Sequence, residues 1–223
     1  MKYIYALLLL SSLLFAQTGK KPKYTANVIP KNMTVKEKKE RFFYLLVPAV
    51  DRVHKQLMER FVSISKHIEE GTNQEEVNRL KKLYKIKTDE ELLQALKPHP
   101  QSIVLAQAAL ESSWGTSRFF VEANNIFGVH SIDPNEPRIA ASEKNGKRTV
   151  WLTKFRSVQE SVRAYYRTMS ISKAFKQFRV LRVHTEDPYV LVKALHRYSE
   201  IGNKYADQLS MVIKHNNLTK YDR

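Results

Sequence analysis

The chain reads as mainly α-helical (α+β), with one small β-hairpin lobe and a helical N-terminal arm ahead of the main domain. Three observations carry this. Apolar residues recur at helical spacing, as in Phe42, Leu46, Ala49, Val50, Val53 and Leu57. Helix starts are marked by Thr34-Val-Lys-Glu37 and Ser157-Val-Gln-Glu160, each a hydroxyl residue with a glutamate three positions on. One stretch departs from the helical pattern: Arg138 to Phe155 alternates about Asn145-Gly146, the signature of a β-hairpin.

At 223 residues, 43% hydrophobic and 27% charged, the chain is long enough for one good core plus an extension. Residues 1–16 read as a signal peptide: Lys2, a mostly apolar run from Tyr3 to Phe15, and Ala16 before the cleavage point. The run is short for a bilayer span and polar residues follow it, so export to the periplasm or cell envelope is expected. An uncleaved anchor is the competing reading, because Leu14 suits the cleavage site poorly.

The absence of cysteine excludes disulfides, thiol catalysis and thiolate metal sites. The seven histidines form no helical pair at metal spacing, and no glycine-rich phosphate loop occurs, so no metal and no cofactor is expected. The formal charge of +16 would suit nucleic acid. For an exported chain, an anionic envelope surface or polymer is the better counterpart, and no nucleic-acid partner is expected.

In chain order, 17–33 reads as a linker and 34–97 as a helical arm or cap. Within the arm, a long helix starts at Thr34 and is open to a kink at Pro48. Gly71-Thr-Asn breaks it, a short helix carries Leu80, Leu83 and Tyr84, and another runs from Thr88 to Pro98. Residues 98–223 form the main domain, and its helix over 101–114 is the centre of the reading. Between Ile103 and Glu111 the only polar residues are Gln107 and Glu111, four apart and so on one stripe of an apolar rod. Glu111 is therefore expected at the interior or on a cleft wall, with a pKa raised by burial and by the negative helix end. Such a carboxyl either pairs structurally with a neighbour or serves as a general acid.

A short helix over 116–123 and a tight loop at Asn124-Asn-Ile-Phe-Gly128 follow. The hairpin comes next, with Glu143 in its predicted Glu143-Lys-Asn-Gly146 turn. Helices are then expected from Ser157, over 172–183, after Asp187-Pro188, and from Tyr205 to Ile213, with a loop at Tyr198 to Gly202. From Arg156 to Lys204 there are ten Lys or Arg against four Asp or Glu, a basic face that either meets anionic polymer or is merely solvated.

Ala106-Gln-Ala-Ala-Leu-Glu111-Ser-Ser-Trp-Gly115 resembles the catalytic helix of the bacterial glucosaminidase family, whose members hydrolyse peptidoglycan. The 124–128 loop is similar to that family's Asn-Asn-Leu-Phe-Gly loop, and Lys154 to Tyr165 to its segment after the hairpin. Thr34 to Arg41 and Ala174 to Arg182 resemble the Bax-type exported branch. The resemblance implies a lysozyme-like fold, peptidoglycan glycan strands as substrate, and β-N-acetylglucosaminidase action on the reducing side of N-acetylglucosamine. It makes Glu111 the general acid and matches Glu143, or failing that Glu136, to the second acidic position. Tyr198 and Tyr205 match aromatic positions near the last helix, although Ser-Glu-Ile-Gly follows Tyr198 where many members have Ala-Thr-Asp-Pro.

Gln107, Trp114, Asn125, Phe127, Tyr198 and Tyr205 are the candidate substrate-binding residues. Core packing is the alternative for Trp114 and Phe127, bracing of the loop for the Asn pair, and structural hydrogen bonding for the tyrosines. Carboxyls ~5 Å apart would favour a retaining mechanism and ~6.5–9.5 Å an inverting one, while a substrate acetamido group would replace the enzymic nucleophile altogether. A lytic transglycosylase or muramidase, or a non-catalytic glycan-binding protein, are the other readings of the same helix.

Overall fold

The structure, a computed structural model, describes residues 22–145, 148–195 and 203–222; for 142–145, 148 and 203 it describes the backbone alone. The expected signal segment and the loop holding Tyr198 lie outside the described residues. Thr34 opens α1 (Val35–Glu69) with the expected reciprocal cap: its hydroxyl accepts from Glu37 N, and Glu37 Oε2 accepts from Thr34 N at 2.8 Å. Pro48 lies inside α1, which continues through it. Gly71, at φ +68°, ends the run, and α2 (Gln74–Tyr84) and α3 (Asp89–Leu96) follow, the latter capped by the Thr88 hydroxyl.

Ile64, Val77, Leu80, Leu92 and Leu96 form a small apolar cluster among α1, α2 and α3. The other half of α1 enters the main core. Phe42, Leu46, Val50 and Val53 are fully buried there together with Ile103, Val104 and Leu105 of α4 (Gln101–Glu111). Every residue of α4 from Gln101 to Ala109 is buried, as an apolar rod demands. Pro100 precedes it without a side-chain cap; instead Asp222, from the far end of the chain, accepts from Ser102 N at 2.7 Å. An acidic group at a helix N-terminus meets both the unpaired N–H groups and the positive pole.

The sequence predicts α4 to continue to residue 114, but it ends at Glu111. Ser113, Trp114 and Gly115 then adopt positive φ in succession, at 50°, 60° and 74°. Two non-glycine residues in that region cost energy, and the surrounding bonds hold them. Trp114 N reaches Ala109 O at 2.8 Å, Gly115 N reaches the Ser112 hydroxyl at 2.8 Å, and Ser117 N reaches Ser112 O at 2.9 Å. From outside the turn, the Arg41 guanidinium donates to Gly115 O at 2.7 Å.

After α5 (Arg118–Ala123) come β1 (Arg138–Asn145) and β2 (Arg148–Thr153), an antiparallel pair. Ala140 pairs with Trp151 and Lys144 with Thr149, so three residues of β1, Ala141 to Glu143, face one of β2. Asn145 pairs with Arg148, so the strand pairing continues two residues beyond Glu143. Glu143 thus belongs to a bulged strand rather than to the predicted turn. The remaining elements are α6 (Val158–Ile171), a 3₁₀ turn (Lys173–Phe175), α7 (Lys176–His184), α8 (Pro188–Leu191) running into a second 3₁₀ turn (Val192–Leu195), α9 (Asn203–His215) and a third 3₁₀ turn (Leu218–Tyr221). α4 packs against α1, α9 and that last turn, with Val162, Tyr165, Tyr166, Phe178 and Leu209 completing the core. This is the expected mainly helical, lysozyme-like arrangement with a two-stranded lobe. Among the described residues no helix is long and apolar enough to cross a membrane.

Candidate active site

Glu111 is the last residue of α4, on the wall of an open cavity of about 450 Å³ whose lining includes Phe127, His130, Tyr165, Thr168 and Phe175. It is open to solvent on one side, yet enough protein crowds the carboxyl that burial raises its pKa from the ordinary 4.5; the Tyr205 hydrogen bond pulls the other way. A groove wall reconciles these, since one face is wet while the rest of the group is surrounded. The helix was expected to deliver this carboxyl to an interior or a cleft wall, and the wall is where it stands.

Behind Glu111 runs a line of polar groups through the apolar interior. Tyr205, from α9, donates to Glu111 Oε1 at 2.9 Å, and Gln107, one turn before Glu111, donates through Nε2 to Tyr205 Oη at 3.1 Å. Tyr165 of α6 donates to Gln107 Oε1, and His99 Nε2 lies 2.8 Å from Tyr165 Oη. The other ring nitrogen of His99 is 3.3 Å from the Arg182 guanidinium of α7. Arg182 also donates to Gln94 O and Ala95 O at 2.9 and 3.0 Å, at the C-terminal end of α3 where carbonyls lack helical partners. Burial lowers the Arg182 pKa to about 9, so the group stays charged at neutral pH. His99 is fully buried, and burial, then the charges of Arg182 and His54, hold its pKa well below the ordinary 6.5.

Of the candidate residues, the fold joins Gln107, Glu111 and Tyr205 in one hydrogen-bonded line and sets Phe127 beside them, stacked on Tyr165 at 4.2 Å. Phe127 and Tyr165 are only 7% and 2% exposed, so they shape the cavity wall more than they offer a platform. Asn125 is buried, and its amide donates to Val129 O and Thr153 O and accepts from Val129 N, all at 2.9 Å; it braces the loop. Trp114 packs edge-on against Phe42 and Phe43 with the Lys39 ammonium 4.8 Å above it, on the α1 side of the turn. Glu136 accepts from the Thr153 hydroxyl at the base of the hairpin. Glu143 is described only by its place in the β1 bulge, and Tyr198 lies outside the described residues.

His99, Tyr165 and Arg182 were not singled out from sequence. Periodicity sorts residues by hydrophobicity, so Tyr165 registers as an inward aromatic and Arg182 as one more charge on the basic face. Arg182 is in fact 1% exposed, and Arg179 of the same helix donates to Met169 O and Ser172 O. One member of that face is thus an internal brace, and a second, half-buried, ties down the end of α6.

A family profile described as glucosaminidase, mannosyl-glycoprotein endo-beta-N-acetylglucosaminidase, matches residues 88–218, more than half of the chain. Protein bax of Escherichia coli (strain K12) is 30% identical over 131 residues, 56% of this chain and 46% of its own length. Exo-glucosaminidase LytG of Bacillus subtilis (strain 168) is 28% identical over 134 residues, 54% and 45% of the respective chains. The chain thus spans under half the length of both curated relatives. In structure it is similar to the catalytic domain of the autolysin Auto from Listeria monocytogenes, with a TM-score of 0.52 at 20% identity over 85% of this chain and 90% of that one. The profile match contains α4 with Glu111, the Asn-Asn loop, the hairpin and Tyr205, the elements that build the cavity, and the chain belongs to the glucosaminidase family.

Proposed function

We propose that the chain is a peptidoglycan hydrolase, a β-N-acetylglucosaminidase that cleaves the glycan strand on the reducing side of N-acetylglucosamine, exported to the periplasm or envelope. The observation that carries this is Glu111: a carboxyl with a raised pKa, held by Tyr205, at the mouth of a cavity large enough for a sugar ring. Glycosidic cleavage needs a proton for the leaving oxygen and stabilisation of an oxocarbenium-like transition state. A carboxyl whose burial favours the protonated form supplies the proton, which is worth about 10²–10⁴-fold in rate. Glu143 is the proposed second acid; its backbone belongs to a β-bulge, a feature over-represented next to active sites. His130 and Thr168, exposed at the rim, are polar groups within reach of a bound sugar. The net charge of +16 suits an anionic wall polymer.

The test is digestion of purified sacculi with mass spectrometry of the soluble fragments. Fragments ending in reducing N-acetylglucosamine, absent with a folded Glu111→Gln chain, are expected. Anhydro-muramic ends would make it a lytic transglycosylase, reducing muramic ends a muramidase, and sacculus binding without soluble product a glycan-binding protein.

A further inference from the structure

The polar line behind Glu111 has a direction, and its far end dictates it. A guanidinium has only donors, so His99 Nδ1, 3.3 Å from Arg182, must be an acceptor. A neutral imidazole then carries its hydrogen on Nε2 and donates to Tyr165 Oη at 2.8 Å. With that lone pair engaged, the Tyr165 hydrogen turns to Gln107 and requires the amide oxygen there. The amide orientation follows: Nε2 faces Tyr205 Oη at 3.1 Å, and the Tyr205 hydrogen is left for Glu111 Oε1 at 2.9 Å. In the opposite direction Glu111 would donate to Tyr205, the amide would turn over, and His99 would present an N–H to the Arg182 N–H groups. Two donors facing each other in a dry interior exclude that state.

We propose that Arg182 and His99 are positioning residues that fix the direction of this five-link chain, and so hold the acidic proton of Glu111 on Oε2, the oxygen Tyr205 does not occupy. The inference rests on the reading of Glu111 as the acid. Its chemical content is that a proton on Oε1 would be committed to Tyr205, whereas Oε2 has no hydrogen-bond partner among the described residues and can give its proton to a ligand. Among the described groups, those facing His99 are Arg182 from α7, Tyr165 and Tyr166 from α6, and His54 from α1; those facing Glu111 are Tyr205 from α9, with His130 across the cavity. Among the described residues the cation in this line is Arg182, at the His99 end, where it sets polarity without neutralising the acid.

Nitrogen-15 NMR of the histidine rings tests the first link in the wild-type chain. His99 is expected as a neutral ring with hydrogen on Nε2 between about pH 5 and 8, and the other tautomer, or an imidazolium, overturns the proposal. Tyr165→Phe then cuts the chain by one hydroxyl while keeping the ring stacked on Phe127. Tyr205 is thereby released to turn to Gln107, so the Glu111 carboxyl, followed by carbon-13 NMR, should titrate at higher pH than in the wild type. With sacculi as substrate, kcat should fall roughly three- to tenfold with KM unchanged, and the basic limb of its pH profile should move upward. Tyr166→Phe removes an equally buried hydroxyl that bonds His99 O outside the chain, and should move neither limb nor titration. An unmoved Glu111 titration in Tyr165→Phe overturns the proposal. Both NMR readouts need no turnover, so they judge the chain separately from the hydrolase reading, which Glu111→Gln judges alone. The tautomer measurement stands even if Tyr165→Phe folds poorly.

Discussion

Replacing Arg41 by methionine should destabilise the fold by about 2–4 kcal/mol, although Arg41 touches neither the cavity nor any carboxylate among the described residues. Its side chain is fully buried and donates to four carbonyls: Gly115 O at 2.7 Å, Ala26 O at 2.8 Å, Thr25 O at 2.9 Å and Val28 O at 3.2 Å. Methionine keeps the apolar stem and removes every donor. Gly115 O lies inside the structure and would lose about 1–3 kcal/mol as an unpaired acceptor; the other three sit in the segment before α1, where water can replace part of the loss at about 0.5–1.5 kcal/mol each. Relief from burying a guanidinium without a counter-ion offsets a good part of that sum. For a chain of this length the net corresponds to about 5–15 °C in Tm. The assay is thermal unfolding followed at the helical circular-dichroism band, with urea unfolding to check that the m-value holds. Arg79→Met, which removes an exposed ion pair with Glu76, is the control and should leave Tm nearly unchanged. An Arg41→Met protein melting within 2 °C of wild type, to take a cut-off of about half the smallest expected shift, would refute the view that this guanidinium clamps the end of α4.

Gly115→Ala should cost about 1–3 kcal/mol in urea unfolding, because φ is +74° and a Cβ would stand 3.3 Å from Phe120 Cε1. Gly71→Ala, at φ +68° with nothing within 4 Å, should cost about 1 kcal/mol, the backbone term alone. Glu111 and Asp222 both have pKa values raised by burial from ordinary values of 4.5 and 3.8, so folding favours their protonated forms. Their contribution to stability is therefore fully present below those ordinary values and is lost as pH rises through the raised ones. Glu111→Gln should accordingly match or exceed the wild-type Tm at pH 7, with the difference gone by about pH 4; a variant that loses more at pH 7 than at pH 4 contradicts the sign. Asn125→Asp exchanges an amide that donates twice for a group that accepts, among carbonyls, and should lose about 3 kcal/mol or more in urea unfolding. Asn124→Asp, which gives up one bond to Phe155 O, should lose about half as much.

Position along α4 was legible from sequence because burial of a helix is written in its composition: Ile103 to Glu111 leaves only Gln107 and Glu111 polar, and four-residue spacing puts them on one stripe whatever the rest of the chain does. The caps at Thr34, Thr88 and Ser157 were legible for the same local reason, since a hydroxyl and a backbone N–H three residues apart find each other within one turn. The hairpin was legible in type but not in detail: an alternating run announces strands, whereas the bulge that takes Glu143 out of the turn depends on register, which is a property of the pair.

The tertiary structure alone decided the surroundings of the Glu111 carboxyl. Arg182, His99, Tyr165, Gln107, Tyr205 and Glu111 come from α7, the α3–α4 connection, α6, α4 and α9, with sequence separations from 58 to 98 residues along every link of the line. No local rule connects such residues, and an arginine buried against carbonyls looks in sequence like any surface charge. Arg41 is the same case, a cation on a helix that becomes the clamp for a turn 74 residues away. Local pattern could name the carboxyl and the helix that bears it, because hydrophobicity and hydrogen-bond reach act over a few residues. Which groups hold that carboxyl, and in which direction their hydrogens point, depended on the packing of distant helices, because a buried polar group takes its partner from whatever element the core brings against it.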